Sequence, residues 1–341
     1  MRIKKQPNLP LEKLLSLEFC RRLFIKRRRL LAPDLNKIDD LVLKAIKFYA
    51  TNAWQHAVVH YDIAYRHGLE RRELDIYAGA HSSGLRRRTY EFLVYLWRQG
   101  FNAGEFLTPK PLFYHQPLQA MFYLEISGPN LLGLIEQSAP LKSSLILAGL
   151  GLAKIHKLPR PKNPKLNVYH FNARSLDPTD IITLTKTWQP RLAKTFTDWQ
   201  SKLIRGHAKL PPAPPVVSHG DFHPENVIAI NNETIGLIDF SESCLADPAY
   251  DAGSFLQQLR FMTNGRYPDA TVSLWQKLFL KNYLDGLGIK KLSLGWRQRL
   301  FWHQAWTALR SAIFYAKLRD QNRINCLLKD VNFAWKQCQK K

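Results

Sequence analysis

At 341 residues and 39.6 kDa the chain is too long for one small stapled scaffold, and its 45% hydrophobic and 12% aromatic content excludes wholesale disorder. Fifty Lys and Arg against 27 Asp and Glu leave a formal charge of +23, which favours anionic partners. Ten basic against two acidic residues stand in 1–29 and twelve against two in 290–341, so +18 of the charge lies at the ends, and the middle has the composition of an ordinary enzyme.

Residues 1–45 read as a basic N-terminal extension. Within it Leu14, Leu15, Leu17, Phe24 and Ile25 interleave with Arg21, Arg22, Lys26 and Arg27 to Arg29. Apolar area beside cations predicts an interfacial helix in reversible contact with an acidic membrane. A nucleic-acid partner would use the charge without the apolar face and is disfavoured. Glu12, Lys13 and Glu18 interrupt the apolar stretch, so it does not read as a signal peptide. Leu145 to Ala153, the longest clean apolar run, is too short to span a bilayer. Cys20, Cys244, Cys326 and Cys338 have no paired short spacing and suggest a reducing cytoplasm rather than a zinc site or disulfides. The expected location is therefore the cytoplasm, with a peripheral position at the inner face of the membrane.

Residues 46–126 read as a smaller, β-rich lobe. Ala57 to Tyr65 and Glu73 to His81 are rich in β-branched and aromatic residues and predict two antiparallel strands. A helix follows, with Tyr90, Leu93, Val94 and Trp97 at helical spacing and Gly100 as its stop. The run LQAMFYLEI is a further strand, broken by Ser127, Gly128 and Pro129, where the lobe boundary falls. Residues 127–341 are mainly helical, including SLILAGLGLAKIHKL and LTKTWQPRLAKTFTDWQSKLI. Trp302, Trp306, Leu309, Ile313 and Ala316 recur at the spacing of a packed helix face. The fold class expected is α+β: a small β-rich N-terminal lobe and a larger helical C-terminal lobe.

The chemistry lies in VVSHGDFHPENVIAINNETIGLIDFSESCLADPAYDAG. Val216 and Val217 read as a short strand, His219 to Asn226 as a loop, and VIAI with IGLID as a hairpin turned at Asn231 to Glu233. Hairpin pairing is expected to bring Asp221 and Asp239 towards one site, with Asn226 on the same loop as Asp221. Two acids and an amide suit Mg2+, which takes oxygen ligands and keeps room for substrate phosphates. Phosphoryl transfer needs that set: Asp221 would orient and deprotonate a hydroxyl, while Asn226 and Asp239 would hold the metal. His223 and Glu225 read as ordinary turn residues.

HGDFHPEN followed by LIDF and DPAYD resembles the aminoglycoside phosphotransferase and choline kinase group, which has the protein-kinase-like fold. The resemblance implies Asp221 as base, Asn226 and Asp239 as metal ligands, His219 as a brace, and Asp247 and Asp251 as supports of the catalytic loop. More weakly it extends to LAKIH at 152–156 and to FYLEI at 122–126, covering roughly residues 57–315. It implies that backbone groups near Glu125 and Ile126 contact adenine, and that Glu91 stands where the group has a helix glutamate beside a strand lysine.

That lysine is missing. IYAGAH places Gly79 at its position, and no lysine occurs between Lys47 and Lys110. Arg71, Arg72, Arg86, Arg87 and Arg88 are the candidate substitutes, since a guanidinium forks well onto phosphate oxygens. The function implied is ATP- and Mg2+-dependent phosphorylation of a hydroxylated small molecule: an amino sugar, a sugar, an amino alcohol or a lipid-linked glycan. The alternative is a catalytically weak kinase-like binding protein, a pseudokinase docking on a membrane or polyanion.

Overall fold

The computed structural model of the chain describes residues 9–50 and 55–340, and these fall into two compact units. One holds the described residues up to Ser127, with Pro161–Pro164 and Gly236–Ser241; the other holds Gly128–Arg160, Lys165–Ile235 and the described residues from Glu242 onward.

The first unit is built on an antiparallel sheet of β1 (Ile38–Ala50), β2 (Gln55–His67), β3 (Glu70–His81), β4 (Lys110–His115) and β5 (Ala120–Leu124), in the order β1-β2-β3-β5-β4. Strand β2 alternates as a half-buried strand should: Ala57, Val59, Tyr61 and Ile63 face inward and are 0% exposed. The described part of the segment set apart in the sequence as an extension belongs to this unit and supplies its edge strand β1. It also supplies helix α1 (Leu17–Lys26), capped by the Ser16 side chain accepting from the Phe19 amide. Leu14 and Phe24 are fully buried, Phe24 meets the rings of Tyr61 and Phe122 edge-on, and the Tyr61 hydroxyl donates to the Leu14 carbonyl at 2.7 Å. Much of the apolar face that suggests a membrane surface in the sequence thus covers the protein's own sheet. Burial on that scale stabilises by roughly 1.5–3 kcal/mol per large side chain.

Helix α2 (Leu85–Arg98) follows β3 as expected. Its buried stripe is Thr89, Phe92, Leu93 and Leu96, turned from the Tyr90, Val94 and Trp97 positions that the sequence spacing marks.

The second unit is helical: α3 (Lys142–His156), α4 (Pro190–His207), α5 (Ala249–Thr263), α6 (Asp269–Leu287), α7 (Leu294–Lys317) and α8 (Gln321–Cys338) are its long elements. Trp302 and Trp306 of α7 stack 5.1 Å apart in a core with Phe196, Leu309, Ile313 and Leu327, so most of the aromatic stripe is packing. No described helix is long and apolar enough to cross a membrane.

Candidate active site

In the helical unit β6 (Val216–Ser218) pairs antiparallel with β7 (Cys244–Ala246), and the loop His219–Asn226 leaves the end of β6. Gly220 takes φ +85°, and a Cβ there would stand 2.0 Å from the Glu242 carbonyl oxygen, so the turn admits only glycine. Its backbone is held from α5. The carboxylate of Asp251, 0% exposed, accepts the amides of His219 at 2.7 Å and Gly220 at 3.0 Å. The same carboxylate meets His156 Nε2 at 3.1 Å, and His156 Nδ1 lies 2.8 Å from the Tyr283 hydroxyl. The Tyr250 hydroxyl donates to the Gly220 carbonyl at 3.1 Å. A carboxylate that must lose its water in a buried site is retained only when donors surround it, and here three do. The terminal histidine of LAKIH and the second aspartate of DPAYD therefore form one brace on the loop.

Asp247 closes the start of α5: its Oδ1 accepts the Ala249 amide at 2.8 Å, while Arg299 and His303 stand 3.0 and 3.6 Å from Oδ2. Burial pushes its carboxyl up, but His303, the Ala249 amide and Arg299 outweigh burial and bring it down to about 2.

This brace presents Asp221 and Asn226. The Asn226 side-chain NH2 donates to the Asp221 carbonyl at 2.8 Å, which fixes the amide plane. Asn226 Oδ1 accepts no hydrogen bond from the described residues, and an amide oxygen held this way is a ready ligand for a hard cation. The Asp221 carboxylate lies 3.6 Å from His223 Nε2, which places His223 inside the site rather than in a plain turn. Burial raises the Asp221 carboxyl, yet His223, Arg310 and His219 more than offset this and hold it below the usual carboxylate range. Arg310, on α7, hydrogen-bonds the Tyr250 hydroxyl at 3.4 Å. Sequence reasoning passes over it because it sits beside Leu309 in a helix read as core; the signal was a cation on an otherwise apolar face.

Asp221 opens on a cavity of about 800 Å³ within the helical unit. Aromatic walls include Trp306, Phe314 and Tyr315, with amides and hydroxyls between them, and the guanidinium groups of Arg266, Arg310 and Arg323 share the lining with the carboxylates of Glu136, Asp221 and Glu225.

Asp239 belongs to the sheet unit. Its φ of +56° is uncommon for a residue with a side chain, and its exposed carboxylate accepts the Ser241 amide at 3.4 Å. The five candidate arginines have distinct fates. Arg71 pairs with Glu73, Arg72 with Glu70 and Asp34, and Arg87 with Glu91 at 3.0 Å, so Glu91 already has a cation one turn away on its own helix. Arg88 donates to the Ser241 carbonyl at 3.4 Å, and Arg86 lies against Gly79 and His56. At the end of β5 the Glu125 amide donates to the Asp75 carbonyl at 3.2 Å, and its carboxylate gathers with His60 and Asp75. The Ile126 side chain fills the space above Gly236, leaving backbone as what this stretch can offer a ligand.

Residues 26–302 match the family model described as the phosphotransferase enzyme family. Over 173 residues the chain is 27% identical to an N-acetylmuramate/N-acetylglucosamine kinase of Caulobacter vibrioides, a match that covers 47% of each chain, so about half the length of that curated relative is spanned. Among solved structures an amicoumacin kinase in complex with AMP-PNP and Ca2+ is similar with a TM-score of 0.58 at 13% identity, each chain covered to 93%. An ethanolamine kinase of Plasmodium vivax is similar with a TM-score of 0.57 at 13% identity, covering 94% of this chain and 89% of that one.

Proposed function

This chain belongs to the phosphotransferase enzyme family, and from that premise we propose that it transfers the γ-phosphate of ATP to a hydroxyl of a small sugar. The carrying observation is Asp221: a carboxylate on a braced loop, kept ionised by its neighbours, at the wall of a cavity large enough for a sugar. A hydroxyl nucleophile needs that: an acceptor for its proton within hydrogen-bond reach, and a fixed orientation. Bound Mg2+ and ATP would supply the transferable phosphoryl group and neutralise its charge. Asn226 and Asp239 are the assigned metal ligands, both hard oxygen donors, and the backbone of Glu125 and Ile126 is the assigned adenine contact. The resemblance to the amicoumacin kinase solved with AMP-PNP and Ca2+ supports both assignments.

The lining of the cavity narrows the acceptor. Aromatic faces with interspersed amides suit a pyranose, and Arg266, Arg310 and Arg323 offset Glu136, Asp221 and Glu225 on the same lining, so the wall lacks the acidic excess that would favour a polycation such as an aminoglycoside. An uncharged or acidic N-acetylated sugar is the best fit, consistent with the sugar kinase among the relatives. Contact with an acidic membrane would rest mainly on the basic ends, because much of the apolar side of α1 is occupied.

Mg2+-dependent ADP release from ATP tests the reading, measured over N-acetylglucosamine, N-acetylmuramate, kanamycin and choline. Turnover with the N-acetylated sugars above kanamycin and choline is expected. Turnover with only the cationic acceptors would reverse the assignment of the cavity. Nucleotide binding without turnover on any hydroxylated acceptor would move the chain to the weak, binding-protein reading.

A further inference from the structure

The middle of β3 carries an unusual pairing of a glycine with an arginine from another element. Gly79 lies in the sheet interior, opposite Val58 on one side and Met121 on the other, where a glycine weakens a strand and marks a close approach. What approaches is Arg86, from the first turn of α2. A Cβ at position 79 would meet Arg86 Nε at 3.6 Å and Cδ at 3.8 Å, so a single methyl would fit but any longer side chain would run into the guanidinium stem. One space in the sheet unit is therefore filled by Arg86 in place of a side chain on β3.

Among the described residues neither Arg86 nor Arg88 faces a carboxylate, and Arg88 gives its guanidinium to the Ser241 carbonyl. Arg71, Arg72 and Arg87 each face a carboxylate. Arg86 Nη2 instead meets His56 Nε2 at 3.2 Å, and since a guanidinium only donates, that nitrogen must accept and His56 is neutral. Arg86 Nε is buried and makes no hydrogen bond to the described residues. A buried, unsatisfied donor on a cation costs free energy unless an anion completes it. Asp239, the assigned metal ligand of this unit, lies in the same neighbourhood: the charges of Arg86 and Asp239 both bear on His56 and on Tyr123.

We propose that Arg86, reaching across Gly79, is the residue of the sheet unit that binds the phosphates of the nucleotide. This rests on the nucleotide-dependent reading above. The guanidinium fork supplies charge-assisted hydrogen bonds to phosphate oxygens, and the Gly79 backbone leaves it room to cross the strand. Position 79 and position 86 are alternatives for one space, so only one of them can carry a long cation.

Isothermal titration of ATP, ADP and adenosine onto the full chain in Mg2+ tests this. Arg86→Ala should weaken ATP and ADP binding about 10- to 100-fold, the scale of one charge-assisted hydrogen bond, and leave adenosine within twofold. Alanine at Arg71, Arg72, Arg87 or Arg88 should change ATP binding less than threefold. Gly79→Lys in the Arg86→Ala background should restore ATP affinity, while Gly79→Lys alone should lower thermal stability by crowding Arg86. A circular-dichroism melt keeps a misfolded variant from counting as a lost contact, and the double variant tests the space independently. Arg86→Ala binding ATP as the parent does, an equal loss for adenosine, or a loss that falls on Arg88 instead would overturn the inference. A parent chain that binds no nucleotide at all would sink the proposed function itself, which is a different result.

Discussion

His156 and Asp251 form a fully buried pair, Nε2 to Oδ2 at 3.1 Å, and the carboxylate half of that pair also holds two consecutive amides of the Asp221 loop. One side chain thus joins α3, α5 and the loop. Asp251→Ala leaves two amide donors and a histidine without their acceptor, and a loss of about 3–5 kcal/mol is expected, as for breaking a buried pair from one side. Asp251→Asn should lose less, because its amide oxygen still accepts. Urea unfolding reads both, and an Asp251→Ala variant with the parent's midpoint would show that the loop is held by something else.

Asp247 predicts a pH dependence. Its folded carboxyl is depressed to about 2, so the stability it contributes is present above the unfolded value of about 3.9 and is lost as pH falls from there through about 2. The shift corresponds to about 2–3 kcal/mol. Asp247→Asn should therefore be less stable than the parent by up to that amount at pH 7, and the gap should narrow as the medium is taken from pH ~5 towards pH ~3. A gap that stays constant across that range would mean that the Arg299 and His303 contacts do not depend on the charge.

Arg310 stands near Asp221 and lines the cavity. Arg310→Ala should lower kcat/KM for an acidic acceptor by about tenfold or more, the loss of one hydrogen bond to a charged group, and leave the KM for ATP within twofold. Comparing acidic with neutral sugars separates the two contributions: an equal loss for both acceptors assigns Arg310 to the loop alone. A raised KM for ATP would place it elsewhere in the mechanism.

Much of the helical unit's site was legible because its residues are contiguous. His219 to Asn226 and Asp247 to Asp251 carry their spacing in plain view, and the structure ties the two segments together through Asp251. Strand β1 is not legible in the sequence. Asp39, Asp40, Lys44 and Lys47 interrupt its apolar residues, as befits a sheet edge that must not pair further, and charge at an edge hides the period that marks a strand. In α1 the period was visible, but periodicity does not say whether lipid or a sheet covers the apolar face; Tyr61 and Phe122 do. In the sequence the five arginines near β3 and α2 are equivalent. Only the register of β3 and the first turn of α2 single out Arg86 over Gly79. Arg310 is hidden in the sequence because its neighbours on the helix, Trp306, Leu309 and Ile313, read as core.

The proposed role of Asp221 is to accept the proton of the attacking hydroxyl, and Asp221→Asn is the variant that isolates it. Nucleotide binding and turnover should be measured on one preparation, with Mg2+, ATP and an N-acetylated sugar. ATP affinity should stay within about threefold of the parent while kcat falls by about 10²–10⁴, the scale of general-base catalysis. Turnover at the parent's rate would contradict it, and so would a loss of ATP affinity that accounts for the whole loss of rate.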